Sequence, residues 1–161
     1  MLLVIANSIN TINMTIEIKE LEVAKEQKGI YNPKVTKSPD SDFEILRITE
    51  EAELTRIDFL FMPQKKRKGA WVQIKRHTFI RPAGSSIRYS MVKAVGIPIH
   101  PFRDHSITTL KMFSYTLYFP KLPKGTTSID IIELESTNRV YFNFYGVHLN
   151  SIKSEKLLVY S

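Results

Sequence analysis

The chain has 161 residues, no cysteine, and 23 basic against 16 acidic side chains, a formal charge of +7. The missing cysteines exclude disulfides, thiolate nucleophiles, thiolate zinc sites and dithiol redox chemistry. A hydrophobic fraction of 43% with 24% charged residues argues against a wholly disordered chain and fits one globular domain with extensions.

The first ten residues (MLLVIANSIN) form a short apolar patch with no basic start. They read either as the remnant of a secretory leader or as a frayed first strand. No apolar run approaches the roughly 20 residues that a membrane helix needs. Thr11 to Lys19 (TINMTIEIK) alternates Ile12, Met14, Ile16 and Ile18 with polar neighbours, the pattern of a half-buried strand. Glu20 to Gln27 is helix-like in composition. Lys28 to Ser41, rich in Pro, Lys and Ser, is expected to be a linker or long loop.

From Phe43 onward the two-residue period recurs. Phe43 to Thr49 reads as a strand, followed by an acidic turn at Glu50 to Glu53. In ELTRIDFLF, Ile57, Phe59 and Phe61 share one face, and Arg56 and Asp58 the other. Ala70 to Ile74, Thr78 to Arg81 and Ile87 to Val95 are shorter strands, the last following the turn signal Pro82-Ala83-Gly84-Ser85-Ser86. Gly96-Ile97-Pro98 breaks the pattern, because proline cannot donate to a ladder. In KMFSYTLYF, Phe113, Tyr115, Leu117 and Phe119 share a face. In RVYFNFYGV, Phe142 and Phe144 share one. β-Branched and aromatic residues fill these runs, as pleated surfaces favour.

LPKGTTSIDIIE (Leu122 to Glu133) could serve as a phosphate loop, a helix cap or a crossover. A phosphate loop needs several glycines and a helix behind them; here there is one glycine and an apolar β-branched run. Ile129 stands where a capping box starting at Thr126 needs Glu or Gln. One strand ends at Pro120 and the next begins near Ser128. The connection is too long for a tight hairpin and suits a chain leaving one sheet for the other.

These elements predict an all-β protein, an antiparallel sandwich of Greek-key type with an N-terminal extension strand. Its divisions are an N-terminal strand and linker (1–41), the sandwich (42–149) and a tail (150–161). Ile57, Phe59, Trp71, Leu117, Phe119, Ile129, Ile131, Phe142 and Phe144 are the expected core.

The succession ILRITEEAELTRIDFLF, GAWVQIKRHTFIRPAGSSIRYSMVKAVGIPI, YTLYFPKLPKGTTSIDIIE and FNFYGV resembles an uncharacterised immunoglobulin-like β-sandwich domain. That domain recurs in envelope proteins of Bacteroides and relatives, often beside thioredoxin-like domains. The resemblance runs from about Phe43 to Val147. It implies an immunoglobulin-like sandwich, a periplasmic or cell-surface location, and a supporting or binding role with no catalytic residues to carry over.

Few residues are candidates for chemistry. Lys65, Lys66, Arg67 and Lys68, followed by Trp71, form a candidate binding patch. Basic charge beside an aromatic can hold phosphate and stack a base, and Lys75, Arg76, Arg81 and Arg88 could extend it. The plainer reading is a solvated hairpin tip with Trp71 as a core anchor. His100, Asp104 and His105 have metal-ligand chemistry, but their spacing in a proline-containing stretch predicts a solvated loop. Glu133 and Glu135 share a strand face. Paired carboxylates can hydrolyse glycosides across a cleft, but no cleft is evident, and a solvent face with Arg139 or a lysine as partner is expected. Tyr115, Tyr118, Tyr141 and Tyr145 are expected mostly to pack. There is no G-x-S-x-G elbow.

The expectation is therefore a non-enzymatic accessory or interaction module, without cofactor or metal, meeting an unknown protein or glycan. Edge strands offer self-association as a further mode. The alternatives are a basic-patch binder of nucleic acid or another anionic polymer, and a hydrolase on a sandwich fold; nucleic acid is not the expected partner.

Overall fold

A computed structural model describes residues 29–39, 42–63, 71–105, 112–136 and 141–150. The predicted strand at Thr11 to Lys19 lies outside them. Ten strands follow in order: β1 Gly29–Tyr31, β2 Val35–Lys37, β3 Phe43–Glu50, β4 Leu54–Phe61, β5 Phe79–Pro82, β6 Tyr89–Ser90, β7 Lys93–Val95, β8 Phe113–Pro120, β9 Ser128–Ile132 and β10 Phe144–His148. They form two five-stranded sheets, ordered β1-β3-β4-β8-β7 and β2-β10-β9-β5-β6. Every named pairing is antiparallel. Among the described residues there is no helix, hence none long and apolar enough to cross a membrane. The architecture is an all-β, sandwich-like pair of sheets.

The alternation read from the sequence sets which face is inside. Ile57, Phe59 and Phe61 of β4 and Tyr115, Leu117 and Phe119 of β8 point into the core against Ile129 and Ile131 of β9 and Phe144 and Val147 of β10. Toward one end the core is aromatic. Phe59 stacks on Tyr115 with ring centroids 5.0 Å apart. Phe142 meets Phe59 edge-on at 5.0 Å and Phe144 at 5.0 Å. Such pairs add about 0.5–1.5 kcal/mol each beyond the area they bury.

Leu122 to Glu133 behaves as a crossover. β8 ends at Pro120 in one sheet and β9 begins at Ser128 in the other. The predicted strand Ile87 to Val95 is divided: β6 lies in one sheet and β7 in the other. The chain changes sheet at Met91 and Val92, whose N–H groups bond Thr78 and Tyr118 on opposite sides.

Three expectations need correction here. Residues 28–41, expected as a linker, supply β1 and β2, which pair with β3 and β10. Each strand has three residues, too few to reveal a period. Asn32 (φ 44°) with Pro33 separates them. Ala70 to Ile74 is not a ladder strand: of its described residues only Val72 and Ile74 make single bridges, to Asp104 and Ile99. The last strand begins at Phe144, later than expected, and slips register before Val147. Gly146 sits at that irregularity with φ 61°. A β-carbon there would stand 2.5 Å from Thr36 Oγ1, so only glycine fits.

The outer face of each central strand carries a buried aspartate. Asp58 of β4 accepts Arg47 Nε (2.8 Å), Arg56 Nε (2.9 Å) and Thr116 Oγ1 (2.7 Å). Asp130 of β9 accepts Arg81 Nε (3.2 Å) and the Gly146 N–H (3.0 Å). Burial pushes the Asp58 carboxyl up, but the bonds from Thr116, Arg47 and Arg56 outweigh it and hold it below its ordinary 3.8.

Two outcomes follow from this packing. Phe119→Ala should cost about 3–5 kcal/mol in denaturant unfolding, as expected for a fully buried phenylalanine; under about 1 kcal/mol the facing assigned to β8 is wrong. Asp58→Asn should cost about 2 kcal/mol at neutral pH, since two part-exposed arginines lose a charged acceptor. Because the folded carboxyl is held low, this contribution is present above pH 3.8 and lost as pH falls through the lower folded value. A wild-type advantage over Asp58→Asn that grew on acidification would contradict the network.

Candidate functional site

The described parts of three long connections meet at the aromatic end of the sandwich: residues 62–63 and 71–78, 96–105 and 112, and 133–136 and 141–143. Antiparallel pairing puts them there. Phe61 at the end of β4 pairs with Phe113 at the start of β8, and Phe79 at the start of β5 pairs with Ile132 at the end of β9.

Backbone bonds lace the first two connections together. Val72 and Asp104 exchange N–H···O bonds of 3.1 and 3.2 Å, the Ile74 N–H reaches Pro98 O at 2.9 Å, and the His100 N–H reaches Ile74 O at 2.9 Å. The third is tied in by Glu133. One carboxylate oxygen accepts the Lys75 N–H at 3.2 Å and the other the Phe142 N–H at 2.9 Å. Asn143 completes the knot. Its amide oxygen accepts the Glu133 and Leu134 N–H groups, and its Nδ2 donates to Leu134 O at 2.7 Å. Lys75 Nζ lies 5.9 Å from the Tyr141 ring centroid.

On this frame Val72 and Ile74 turn into the core. Trp71 is left at the surface, 40% exposed, with the Arg103 guanidinium 4.2 Å from its ring centroid. Phe102, the residue before Arg103, is 74% exposed. A guanidinium over an indole face is held by the ring quadrupole, about 0.5–1 kcal/mol at an exposed site. The result is an aromatic and cationic surface on loops anchored by backbone hydrogen bonds.

Chain matching brings no family to this arrangement. The chain matches no family model, no curated protein and no solved structure.

The expected site residues fall as follows. Lys65, Lys66, Arg67 and Lys68 lie outside the described residues; Trp71 is at the surface and is not a core anchor. The physical reason is phase: with Val72 and Ile74 inward, a two-residue period sends Trp71 outward. His100, Asp104 and His105 are exposed, and among the described residues no group of three or more His, Asp or Glu could hold a metal ion. The Glu133–Glu135 pairing dissolves. Glu133 is buried beyond the end of β9 with both oxygens bound to backbone N–H groups, while Glu135 binds Arg81 at 3.2 Å and Arg88 at 2.7 Å. Arg103, Phe102 and Asn143 escaped the sequence reading. For Arg103 the only signal was its place in the HPFRDH run.

Two buried polar groups adjoin this end. The Tyr115 hydroxyl and Gln73 Oε1 have no hydrogen-bond partner among the described residues. Burial, with the nearby Glu133 carboxylate, pushes the Tyr115 hydroxyl well up. Burial likewise raises Glu133 above its ordinary 4.5, with the Phe142 and Lys75 N–H groups pulling the other way. A raised carboxyl binds its proton more tightly folded than unfolded. Its contribution is therefore full below pH 4.5 and declines as pH rises through the folded value. The stability of wild type relative to Glu133→Gln should fall over that window and then level, measured by urea unfolding across pH. A rise over the same window would contradict the burial of this carboxyl.

Proposed function

We propose that this chain is a non-enzymatic interaction module of immunoglobulin-like type that meets a protein or glycan partner through its three-loop end. Strand order supports the immunoglobulin-like reading. β3-β4-β8-β7 runs as A-B-E-D, and β10-β9-β5-β6 as G-F-C-C′, an arrangement known for such sandwiches. β1 and β2 then extend the edges beside A and G. The crossover at Leu122 to Glu133 becomes the E–F connection. The chain departs from antibody domains in having no cysteine pair and no tryptophan within its C strand.

In this correspondence residues 62–78, 96–112 and 133–143 are the B–C, D–E and F–G loops, and B–C and F–G belong to the recognition end of variable domains. The single observation that carries the reading is the surface Trp71–Arg103 pair on interlocked loops. Aromatic and arginine side chains held in place are what interfaces concentrate. A bacterial envelope location rests on the resemblance of Phe43 to Val147 alone.

The anionic-polymer reading keeps one specific support. Arg103 against Trp71, with Lys65 to Lys68 just upstream in sequence, has the composition of a stacking platform in a basic setting. Salt separates the two readings, since phosphate-driven binding weakens steeply as salt rises.

Trp71 is the only tryptophan, so its emission reports directly on this end. Titration with a panel of neutral and acidic glycans, peptides and single-stranded nucleic acids should find a ligand that shifts Trp71 emission. Trp71→Phe combined with Arg103→Ala should weaken that ligand about tenfold or more. Binding that leaves Trp71 emission and affinity untouched would remove the loop end from recognition. Binding by nucleic acid alone, with a steep salt dependence, would favour the polymer reading.

A further inference from the structure

The register of the β4-containing sheet aligns one row of outward residues across it. Tyr31 pairs with Arg47, Arg47 with Asp58, Asp58 with Thr116, and Thr116 with Val95. The next row brings Arg56 beside Tyr118, and Tyr118 beside Lys93. Along the first row lies an open depression of about 350 Å³, lined by Tyr31, Arg47, Arg56, Asp58, Ser114 and Thr116 among others. That volume is at the small end of ligand sites.

Its charge is not balanced. Both oxygens of Asp58 are occupied: Oδ2 by Arg47 through Nε and Nη2, Oδ1 by Arg56 Nε and Thr116 Oγ1. One carboxylate thus serves two guanidinium groups, each about a third exposed. Lys93, 5.7 Å from the Tyr118 ring centroid, adds a third cation to the face. Glu44, paired with Leu60 farther along, is its second carboxylate and does not line the depression. The cluster on the other sheet's outer face differs. There Arg81 and Arg88 meet Asp130 and Glu135, two cations against two anions.

Beside the surplus charge stands Tyr31, 62% exposed, with the Arg47 guanidinium 5.9 Å from its ring centroid. We propose that this depression binds an acidic saccharide, its carboxylate or sulfate against Arg56 and Arg47 and its ring on Tyr31. A guanidinium fork matches such an oxyanion, with charge-assisted bonds. An exposed tyrosine ring offers the C–H face of a sugar a flat apolar partner. One net charge in a ring-sized depression fits a monosaccharide unit better than a phosphate chain, which recruits several cations in line.

Calorimetry with tetragalacturonate tests this, beside maltotetraose, hexaglutamate, inorganic sulfate and a short single-stranded DNA. Tetragalacturonate should bind and maltotetraose should not. Arg56→Gln removes the surplus cation yet leaves Asp58 bonded to Arg47 and Thr116; it should weaken binding about tenfold or more. Tyr31→Ala should weaken it severalfold. Trp71→Ala, at the loop end, should stay within about twofold of wild type. The proposal fails if tetragalacturonate does not bind, or if sulfate, hexaglutamate or DNA binds as tightly. It fails equally if Arg56→Gln has no effect, or if Trp71→Ala abolishes binding, which would assign the sugar to the loop end.

Discussion

The central strand of each sheet, β4 in one and β9 in the other, buries one aspartate on its outer face, and the rest of the chain is arranged around that constraint. The inner faces are solved by apolar packing: Ile57 and Phe59 on β4 against Ile129 and Ile131 on β9. The outer faces cannot be solved the same way without leaving an apolar sheet in water. Each instead carries one aspartate, Asp58 or Asp130, held by arginine from a neighbouring strand. A buried carboxylate is tolerable only when it is paired and hydrogen-bonded. That requirement fixes the register of β3, β4 and β8 as firmly as the core does.

The ends inherit their geometry from the same strands. Because β4, β8 and β9 are joined through these connections to β5, β7 and β10, and the pairings set their ends side by side, the three connections share one end. Glu133 exploits this. Placed just past β9, it spends its charge on two backbone N–H groups from different loops. Such a bond network converts long connections into a frame. A frame is what allows an exposed tryptophan and arginine to present one shape to a partner and not many.

Much of the fold was legible in the sequence because the long strands obey a strict two-residue period. ELTRIDFLF and KMFSYTLYF gave the correct inner faces, and LPKGTTSIDIIE gave the crossover because proline, glycine and hydroxyl residues separate two clear strands. β1 and β2 were illegible: three residues cannot display a period, and Pro33 and Pro39 disguise them as linker. Trp71 was misjudged on residue type, since a lone tryptophan in a sandwich suggests the core. Its neighbours Val72 and Ile74 already set the opposite phase. Alternation puts Glu133 on the solvent face only if the strand continues; β9 stops at Ile132, and Glu133 is buried. The Trp71–Arg103 and Tyr31–Arg47 contacts join elements far apart or in different strands, and pairing of that kind is decided by topology.

The central claim is that the three-loop end presents Trp71 to solvent beneath a guanidinium. The most direct measurement is the emission maximum of this single tryptophan together with its quenching by iodide and by caesium ions. The account predicts long-wavelength emission quenched by iodide more efficiently than by caesium, because Arg103 draws the anion and repels the cation. Arg103→Ala should reduce that preference. Short-wavelength emission protected from both ions would return Trp71 to the core and contradict the account.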